Sequence, residues 1–450
     1  MEKNLIGTIV TTLVISTSSF AQKPTLGVNE YIELLKKNDP QFELIINERL
    51  KKEYLVDQGL PSREFLLSAS TEYGFALDDS ENTNQTTVEL SRTLIESGTE
   101  ITVSRSQNKL SDREETVSSV EIEQKIINDG FGSNTRAKKK VLQNEVQILD
   151  LQIKESYEDY IEQRLSAYFE LGQLYTELKS SKEIFEEAKK LYQEVLNKRK
   201  KSIASTTDVK RAKLQMLVRE DEYLEGQTAY TKTVQSLSTY IGKSLLKDIP
   251  EFKFDFSKRL TEAPLREEEL KEYRSYQIKD MTTKNAKESL DIEKNNGGLS
   301  ASIVAGASLD DSKRFSTTVK NEEMLIGLRV DIPFGDSNQK ALNQKANYEY
   351  IKARIEKKNY INELLSNLSQ LQIELNNKKR KLEIAKEKSI LSESIVKEDT
   401  KRYENGRLSL EELITTRNNR ATYKKAYISE QMAYNKLVVT FLSATDRLID

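Results

Sequence analysis

Residues 201–212 read KSIASTTDVKRA and interrupt a pattern in which apolar residues recur at three- and four-residue spacing. This stretch predicts a reversal between two helices, and residues 405–416, which read NGRLSLEELITT, predict a second reversal. Superposing Ser205 on Ser409 gives an offset of 204 positions. The same offset aligns Tyr223 with Tyr427, Ala229 with Ala433 and Tyr230 with Tyr434. We infer that the chain contains two internal repeats of one unit, with the two turns at equivalent positions.

The composition favours long helices and excludes several kinds of functional site. Of the 450 residues 32% are charged, and only 6 are proline and 16 glycine, which is typical of helices with narrow apolar seams. The 70 basic and 72 acidic residues are interspersed, whereas nucleic-acid-binding proteins concentrate Lys and Arg on one face. Cysteine and histidine are absent, which excludes thiol nucleophiles, Cys- or His-based metal sites and Ser-His triads. We therefore expect no enzymatic activity, no cofactor, no metal site and no nucleic-acid partner.

Residues 1–21 have the pattern of a secretory signal peptide. Lys3 supplies a positive charge, residues 5–14 form a short apolar core, and Ser19-Phe20-Ala21 is a cleavage site of the small-x-small type. An N-terminal membrane anchor is the alternative, but the apolar run is too short to span a bilayer comfortably. We therefore expect the chain to be exported.

The first repeat is predicted to span residues 22–242. It begins with a helix that Asn38-Asp39-Pro40 interrupts, because proline lacks an N–H donor and disfavours helix in the residue before it. Residues 64–127 then change to a two-residue period, which predicts β-strands. Residues 133–200 return to helical spacing without a proline, and the predicted helix is on the order of 100 Å long. A helix of that length needs a coiled-coil-like assembly to cover its apolar stripe.

The second repeat is predicted to span residues 266–450, after an irregular connection at 243–265. Its first helix lacks a proline at the position equivalent to Pro40, so we expect that helix to run straight. Two strands follow at about 299–333, and the polar residues 310–316 are predicted to form the loop between them. A second long helix, the second turn and a return helix complete the copy, so the fold class is mainly α with a small β part.

This order of elements, given twice behind a signal peptide, resembles the TolC-type outer-membrane efflux protein family over essentially the whole mature chain. The resemblance rests on residues 38–40, 60–61, 124–132, 167–171, 207–209, 332–335 and 403–413. It implies a homotrimer in which strands from three protomers close one β-barrel in the lipid of the outer membrane. The long coiled-coil helices would form a trimeric α-helical barrel, a tapered tunnel through the periplasm.

The function that the resemblance implies is that of a passive exit duct. Such a channel-tunnel works in a tripartite efflux or type I secretion system, together with an inner-membrane pump and a periplasmic adaptor protein. The alternative is an exported structural coiled-coil protein without a pore. That alternative explains the helices but gives no purpose to alternating strands at equivalent positions of the two halves.

One departure from the family lies in the first half, where residues 86–106 add extended structure between the usual two strands. These residues would either form an external hairpin or add strands that enlarge the barrel. We expect the external hairpin, because the second half has no counterpart.

The resemblance also implies that the two turns close the tunnel and dock the adaptor. Gate candidates by position are Thr207, Asp208, Tyr403 and Glu412, and the adaptor-docking tips are Ser202, Ser205, Gly406 and Ser409. Leu408 stands where a gate arginine is expected and Thr415 where a second aspartate is expected; Arg407 is a possible substitute for the arginine.

A structural role for the same residues has to be weighed against gating. Asp208 and Glu412 fall in the first turn after a reversal, where a carboxylate stabilises a helix N-terminus by about 0.3–1 kcal/mol. Thr207 is equally a candidate helix cap. Both roles fit these positions.

Overall fold

The chain is described from a computed structural model, which covers residues 25–60, 64–75, 82–110, 113–242, 251–252, 266–315, 317–333, 335 and 337–448. The predicted signal peptide lies outside the described residues. So does the predicted connection at 243–265, apart from residues 251–252.

Eight α-helices lie in the described part of the chain. Their bounds are α1 Val28–Asn38, α2 Pro40–Asn47, α3 Lys51–Gly59, α4 Ser133–Lys200, α5 Thr206–Ile241, α6 Arg274–Asn296, α7 Ser337–Glu404 and α8 Leu410–Ala444. The two longest, α4 and α7, contain 68 residues each. None of the described helices combines the length and the apolar character that a membrane-spanning helix needs.

The described strands form two sheets. Their bounds are β1 Thr25–Leu26, β2 Leu66–Gly74, β3 Thr83–Leu94, β4 Thr99–Lys109, β5 Arg113–Ile127, β6 Glu251–Phe252, β7 Ser300–Arg314 and β8 Thr317–Asp331. The short strands β1 and β6 pair in parallel. The other six form one antiparallel sheet in the order β2-β3-β4-β5-β7-β8.

This sheet corrects two predictions from the sequence. The expectation of a hairpin set apart from the other strands is wrong, because β3 and β4 are hydrogen bonded within the sheet, between β2 and β5. The expected loop at residues 310–316 is also wrong, since β7 continues to Arg314 and pairs there with Thr317. Polar side chains had suggested a loop, but in the structure they face each other across the strands, as Asp311 faces Lys320 with an N–O distance of 3.7 Å.

The chain divides into two compact units. Of the described residues, the first comprises those within 25–39, 167–252 and 388–432, and the second comprises those within 40–166, 266–387 and 433–448. In the first unit, Tyr31 and Tyr168 stack with ring centroids 4.9 Å apart, and the Tyr168 hydroxyl donates to the Leu26 carbonyl oxygen at 2.5 Å. In the second unit, Leu270 and Leu368 are fully buried at the centre of an apolar cluster.

The first helix of the second half is interrupted, although it contains no proline. A 3-10 turn at Glu267–Glu272 is separated from α6 by Tyr273, whose backbone is extended with φ −72° and ψ 133°. The prediction of a straight helix is therefore wrong. The backbone N–H of Arg274, the first residue of α6, donates to the Asp446 carboxylate at 2.6 Å. A distant side chain thus caps α6. At the equivalent break in the first half, between α1 and α2, a proline interrupts the helix instead.

The Arg274 side chain holds together a cluster of three carboxylates, of which one is buried and two are partly buried. Its guanidinium contacts Glu155 at 2.9 Å, Asp446 at 3.1 Å and Glu158, whose side chain is 1% exposed. Burial alone would lower the pKa of Arg274, but hydrogen bonding to Glu155 and the charges of Asp446 and Glu158 raise it above its usual value. Glu158 also accepts a hydrogen bond from the Leu448 N–H at 3.1 Å. One cation therefore compensates one buried and two partly buried anions and fixes the start of α6.

Replacing Arg274 with Met should destabilise the protein by about 3–5 kcal/mol, because buried Glu158 would lose its cationic partner. The thermal unfolding midpoint, followed by circular dichroism in detergent, measures the effect. Arg380→Met is the control, since Arg380 is 71% exposed and pairs with Glu383 on its own helix. The control should shift stability by about 0.5 kcal/mol or less. Equal shifts for both variants would contradict the stabilisation of buried Glu158 by Arg274.

Candidate functional site

The first turn, residues 201–205, reverses the chain through a left-handed residue. Helix α4 ends at Lys200, and Ser202 has φ +59°. The Ile203 N–H donates to the Lys198 carbonyl oxygen at 2.9 Å, and the Ser202 N–H donates to that of Arg199 at 2.9 Å. This geometry resembles a Schellman motif, which satisfies helix carbonyls that would otherwise lack donors.

The second turn, residues 405–409, has the same hydrogen bonds at positions displaced by the sequence offset. Gly406 takes the left-handed conformation with φ +68°. The Arg407 N–H donates to the Arg402 carbonyl oxygen at 2.8 Å, and the Gly406 N–H donates to that of Tyr403 at 3.0 Å. The two turns therefore differ at this position only in that one uses serine where the other uses glycine, the residue that suits positive φ.

A reciprocal cap begins the helix after each turn. The Ser205 hydroxyl accepts from the Asp208 N–H at 3.0 Å, and the Asp208 carboxylate accepts from the Ser205 N–H at 2.9 Å. Ser409 and Glu412 repeat both bonds, at 3.2 and 2.9 Å. These are capping boxes, so serine is the cap and Thr207 is not.

The cap bonds stabilise the charged form of both carboxyl groups. The pKa of Asp208 is lowered by the hydrogen bond from the Ser205 hydroxyl, then by that from its backbone N–H. The pKa of Glu412 is lowered in the same way by Ser409. Both side chains are therefore anionic at neutral pH, as a charged gate requires.

An apolar cluster joins the ends of the four helices next to the turns. Its buried members are Leu191, Val195, Ala212, Leu410 and Leu413, and the partly buried residues packed against it include Val209, Tyr403 and Leu408. Leu408 stands where a gate arginine was expected, and here it contributes to packing. Thr415, at the expected aspartate position, donates its hydroxyl to the Glu411 carbonyl oxygen at 2.9 Å.

Tyr403 is brought into this cluster, whereas two other predicted residues are not. The Lys198 ammonium lies 4.1 Å from the centroid of the Tyr403 ring, a cation–π contact. Burial raises the pKa of Tyr403, and the Asp208 charge raises it further, so these two gate candidates interact electrostatically. Thr207 and Arg407 have exposed side chains.

Sequence reasoning missed the polar contacts that connect the helices near the turns. Arg211 on α5 pairs with Glu411 on α8 at 3.0 Å, and Lys424 on α8 pairs with Glu183 on α4 at 2.9 Å. Arg420, whose side chain is 9% exposed, contacts Glu187 at 2.5 Å. In a chain with 32% charged residues, nothing in the sequence distinguishes these partners from solvated charges.

Comparison with solved structures assigns the fold. VceC, an outer-membrane protein of Vibrio cholerae, superposes with a TM-score of 0.70 at 12% identity, over 93% of this chain and 95% of VceC. The CmeC channel of Campylobacter jejuni gives 0.70 at 14% identity, over 94% and 86% of the two chains. The open MtrE channel of Neisseria gonorrhoeae gives 0.69 at 12% identity, over 94% and 89%.

The chain has the fold of the outer-membrane channels. The resemblance to the TolC-type outer-membrane factors is thus confirmed at the level of the fold. No protein-family model matches the sequence, and no curated protein matches it. The channel fold is therefore retained at 12–14% sequence identity. A shared fold does not by itself establish a shared function.

The residues with positive φ in the two turns should respond oppositely to substitution. Gly406→Ala should cost about 1–2 kcal/mol, because a side chain disfavours the left-handed conformation, even though open space surrounds the position. Ser202→Gly should stabilise by up to about 1 kcal/mol, since it relieves the same cost. Guanidinium unfolding midpoints measure both, and two changes of the same sign would contradict the equivalence of the turns.

The capping boxes should weaken in acid. A carboxyl group with a lowered pKa stabilises the fold fully above its ordinary pKa, 3.8 for Asp208 and 4.5 for Glu412, and this stabilisation is lost as the pH falls through the lower folded value. Hydrogen exchange of the Asp208 and Glu412 amides, corrected for the intrinsic rate, should therefore show reduced protection below about pH 4. In the double variant Ser205→Ala with Ser409→Ala, the protection of these two amides should change little with pH. An unchanged loss of protection in acid would refute the assignment of the capping boxes.

Proposed function

We propose that the chain is the channel-tunnel of a tripartite efflux or type I secretion system, a passive exit duct across the periplasm and the outer membrane. It acts as a homotrimer whose sheets close one β-barrel in the outer-membrane lipid and whose long helices form the periplasmic tunnel. A periplasmic adaptor and an inner-membrane pump supply the cargo and the energy. The chain itself carries out no reaction.

The observation that carries this proposal is the two-faced sheet. Along β8, Met324, Ile326 and Leu328 point to one face and are 92%, 83% and 65% exposed. Their neighbours on β7 in the same rows are Ala307, Ala305 and Ile303, whereas the opposite face carries Ser308 beside Glu323. An exposed apolar face opposite a polar one suits a wall between lipid and an aqueous lumen.

The two turns are the proposed gate and adaptor-docking surface. Asp208 and Glu412 from three protomers would form a ring of carboxylates at the narrow end of the tunnel, with Tyr403 behind it and Thr207 and Arg407 at the surface. A ring of anionic side chains attracts cations and excludes anions. Ser202, Ser205, Gly406 and Ser409 form the exposed surface that would meet the adaptor.

Purified protein distinguishes the duct from an exported coiled coil without a pore. The duct predicts an outer-membrane trimer that migrates differently on gels before and after heating, and step-like ion conductance in planar bilayers. A coiled coil without a pore predicts neither, and its strands would not protect any segment from protease in membrane vesicles.

Neutralising the proposed gate carboxylates should change the ion flow while the caps stay intact. The double variant Asp208→Asn with Glu412→Gln keeps an oxygen that accepts from each serine N–H but removes the charge. We expect higher single-channel conductance, weaker block by divalent cations and lower selectivity for K⁺ over Cl⁻, all measured in planar bilayers. Glu411→Gln is the control, since the charge of Glu411 is already paired with Arg211 at 3.0 Å. Equal effects of both variants, or none, would argue against a gate at Asp208 and Glu412.

A further inference from the structure

The geometry points to a wider barrel than the second half alone would suggest: the β3–β4 hairpin is part of the membrane wall. This inference rests on the proposed trimeric duct and adds the composition of its wall. Each copy contributes six strands, so that three copies close an eighteen-stranded barrel. The edge strand β8 of one copy pairs with the edge strand β2 of the next.

The hairpin is required for the sheet to be continuous. All nine residues of β2 pair with β3, from Leu66 opposite Ser91 to Gly74 opposite Thr83. On its other side the hairpin pairs β4 with β5 from Thr99 to Lys109. Without β3 and β4 in the wall, β2 would be left without its hydrogen-bonded neighbour, which is not tolerated in lipid.

One apolar row runs through the hairpin without interruption, and the rows on either side of it carry Arg92 and Arg105 on the hairpin. One row of directly opposed residues crosses all six strands: Leu67, Leu90, Val103, Val120, Ala307 and Met324. The next row contains Arg92 on β3, followed by Ile101, Ile122, Ala305 and Ile326. Val103 on the hairpin is as exposed as Val120 on the adjoining strand, at 43% and 45%. An external hairpin in water would have no reason to align its apolar residues with this band.

The opposite face carries a polar row that also crosses all six strands. Next to the row of Val103, it reads Ser68, Glu89, Ser104, Ser119, Ser308 and Glu323. The hydroxyl groups of Ser104 and Ser119 hydrogen bond across the strands at 2.8 Å. The hairpin therefore contributes to a hydrated lumen surface as well as to the lipid surface.

The turn between β3 and β4, residues 95–98, is packed against the start of α4. Arg136 donates to the Glu96 carbonyl oxygen at 2.6 Å, and Lys139 pairs with the Glu96 carboxylate at 3.0 Å. Gly98 and Gly132 approach so closely that a Cβ on Gly98 would lie 2.7 Å from the Gly132 nitrogen. A hairpin anchored in this way at the junction of strands and helix is a fixed part of the wall.

The two edge strands of the sheet, β2 and β8, indicate that the chain pairing with them is another copy of this protein. Within the described residues, β2 and β8 each have one hydrogen-bonded neighbour, so each offers an unpaired edge. Six strands are too few to close on themselves, because even eight leave room only for side chains. With about 4.8 Å between strands and a tilt of about 40°, eighteen strands give a backbone diameter of about 36 Å, against about 24 Å for twelve.

Cysteine labelling tests the inference without background, since the chain contains no cysteine. The four variants are Val103→Cys and Ser104→Cys on the hairpin, and their direct partners Val120→Cys and Ser119→Cys on β5. Trimers in outer-membrane vesicles are treated with a membrane-impermeant maleimide. We expect both former valine sites to react at least about tenfold more slowly than the neighbouring serine sites, because lipid covers them.

The two strands separate the possible failures. If Val120→Cys is protected but Val103→Cys reacts as fast as Ser104→Cys, the hairpin lies outside the membrane and the inference is overturned, while the duct stands. If Val120→Cys also reacts fast, the sheet is not in lipid and the proposed function itself fails.

The junction between copies is tested by cross-linking. Ala69→Cys on β2 is combined in turn with Glu322→Cys, Met324→Cys, Ile326→Cys and Leu328→Cys on β8, all on the apolar face. Oxidation should yield covalent trimers for the one or two pairs that are in register. Covalent trimers from none of the four would overturn the pairing of β8 with β2.

Discussion

An α-helix leaves four N–H groups and four carbonyl groups without partners at its ends, and the features that decide this fold are the ways in which these groups are satisfied. At both turns the carbonyls receive donors through a left-handed residue, Ser202 or Gly406. The amides that follow are satisfied by Ser205 with Asp208 and by Ser409 with Glu412. Because both ends are completed locally, very long helices can reverse within a few residues.

The same requirement explains why cap and gate coincide in the two turns. A carboxylate near a helix N-terminus completes the capping box and keeps its charge, since the hydrogen bonds that hold it also lower its pKa. A fixed anion at the tip of a hairpin is what a charged ring in a pore requires. The structural role therefore does not compete with the proposed gating role, and it supplies the rigid placement that a gate needs.

The sheet obeys a different rule, in which the two-residue period decides which side chains share a face. Across the six strands, one apolar row lies on one face and a row of serine and glutamate residues lies on the other, and both rows pass through β3 and β4 as through β5, β7 and β8. The glycine pair Gly98 and Gly132 lets the hairpin turn approach the start of α4. The wall of the proposed duct is thus continuous with the chain segment that begins α4, one of the two longest helices.

The sequence by itself determined the elements whose signals are local. Helical spacing predicted α4, α5, α7 and α8, and serine, glycine and acidic residues at the reversals predicted both turns, because periodicity and capping act within a few residues of the chain. Alternation predicted strands but not their neighbours, since a two-residue period is the same in an external hairpin and in a sheet. Only the tertiary structure placed β3 and β4 between β2 and β5, paired Arg420 with Glu187, and interrupted the helix at Tyr273. The last of these depends on Asp446, 172 residues from Arg274, and a contact between such distant residues leaves no mark on the local pattern.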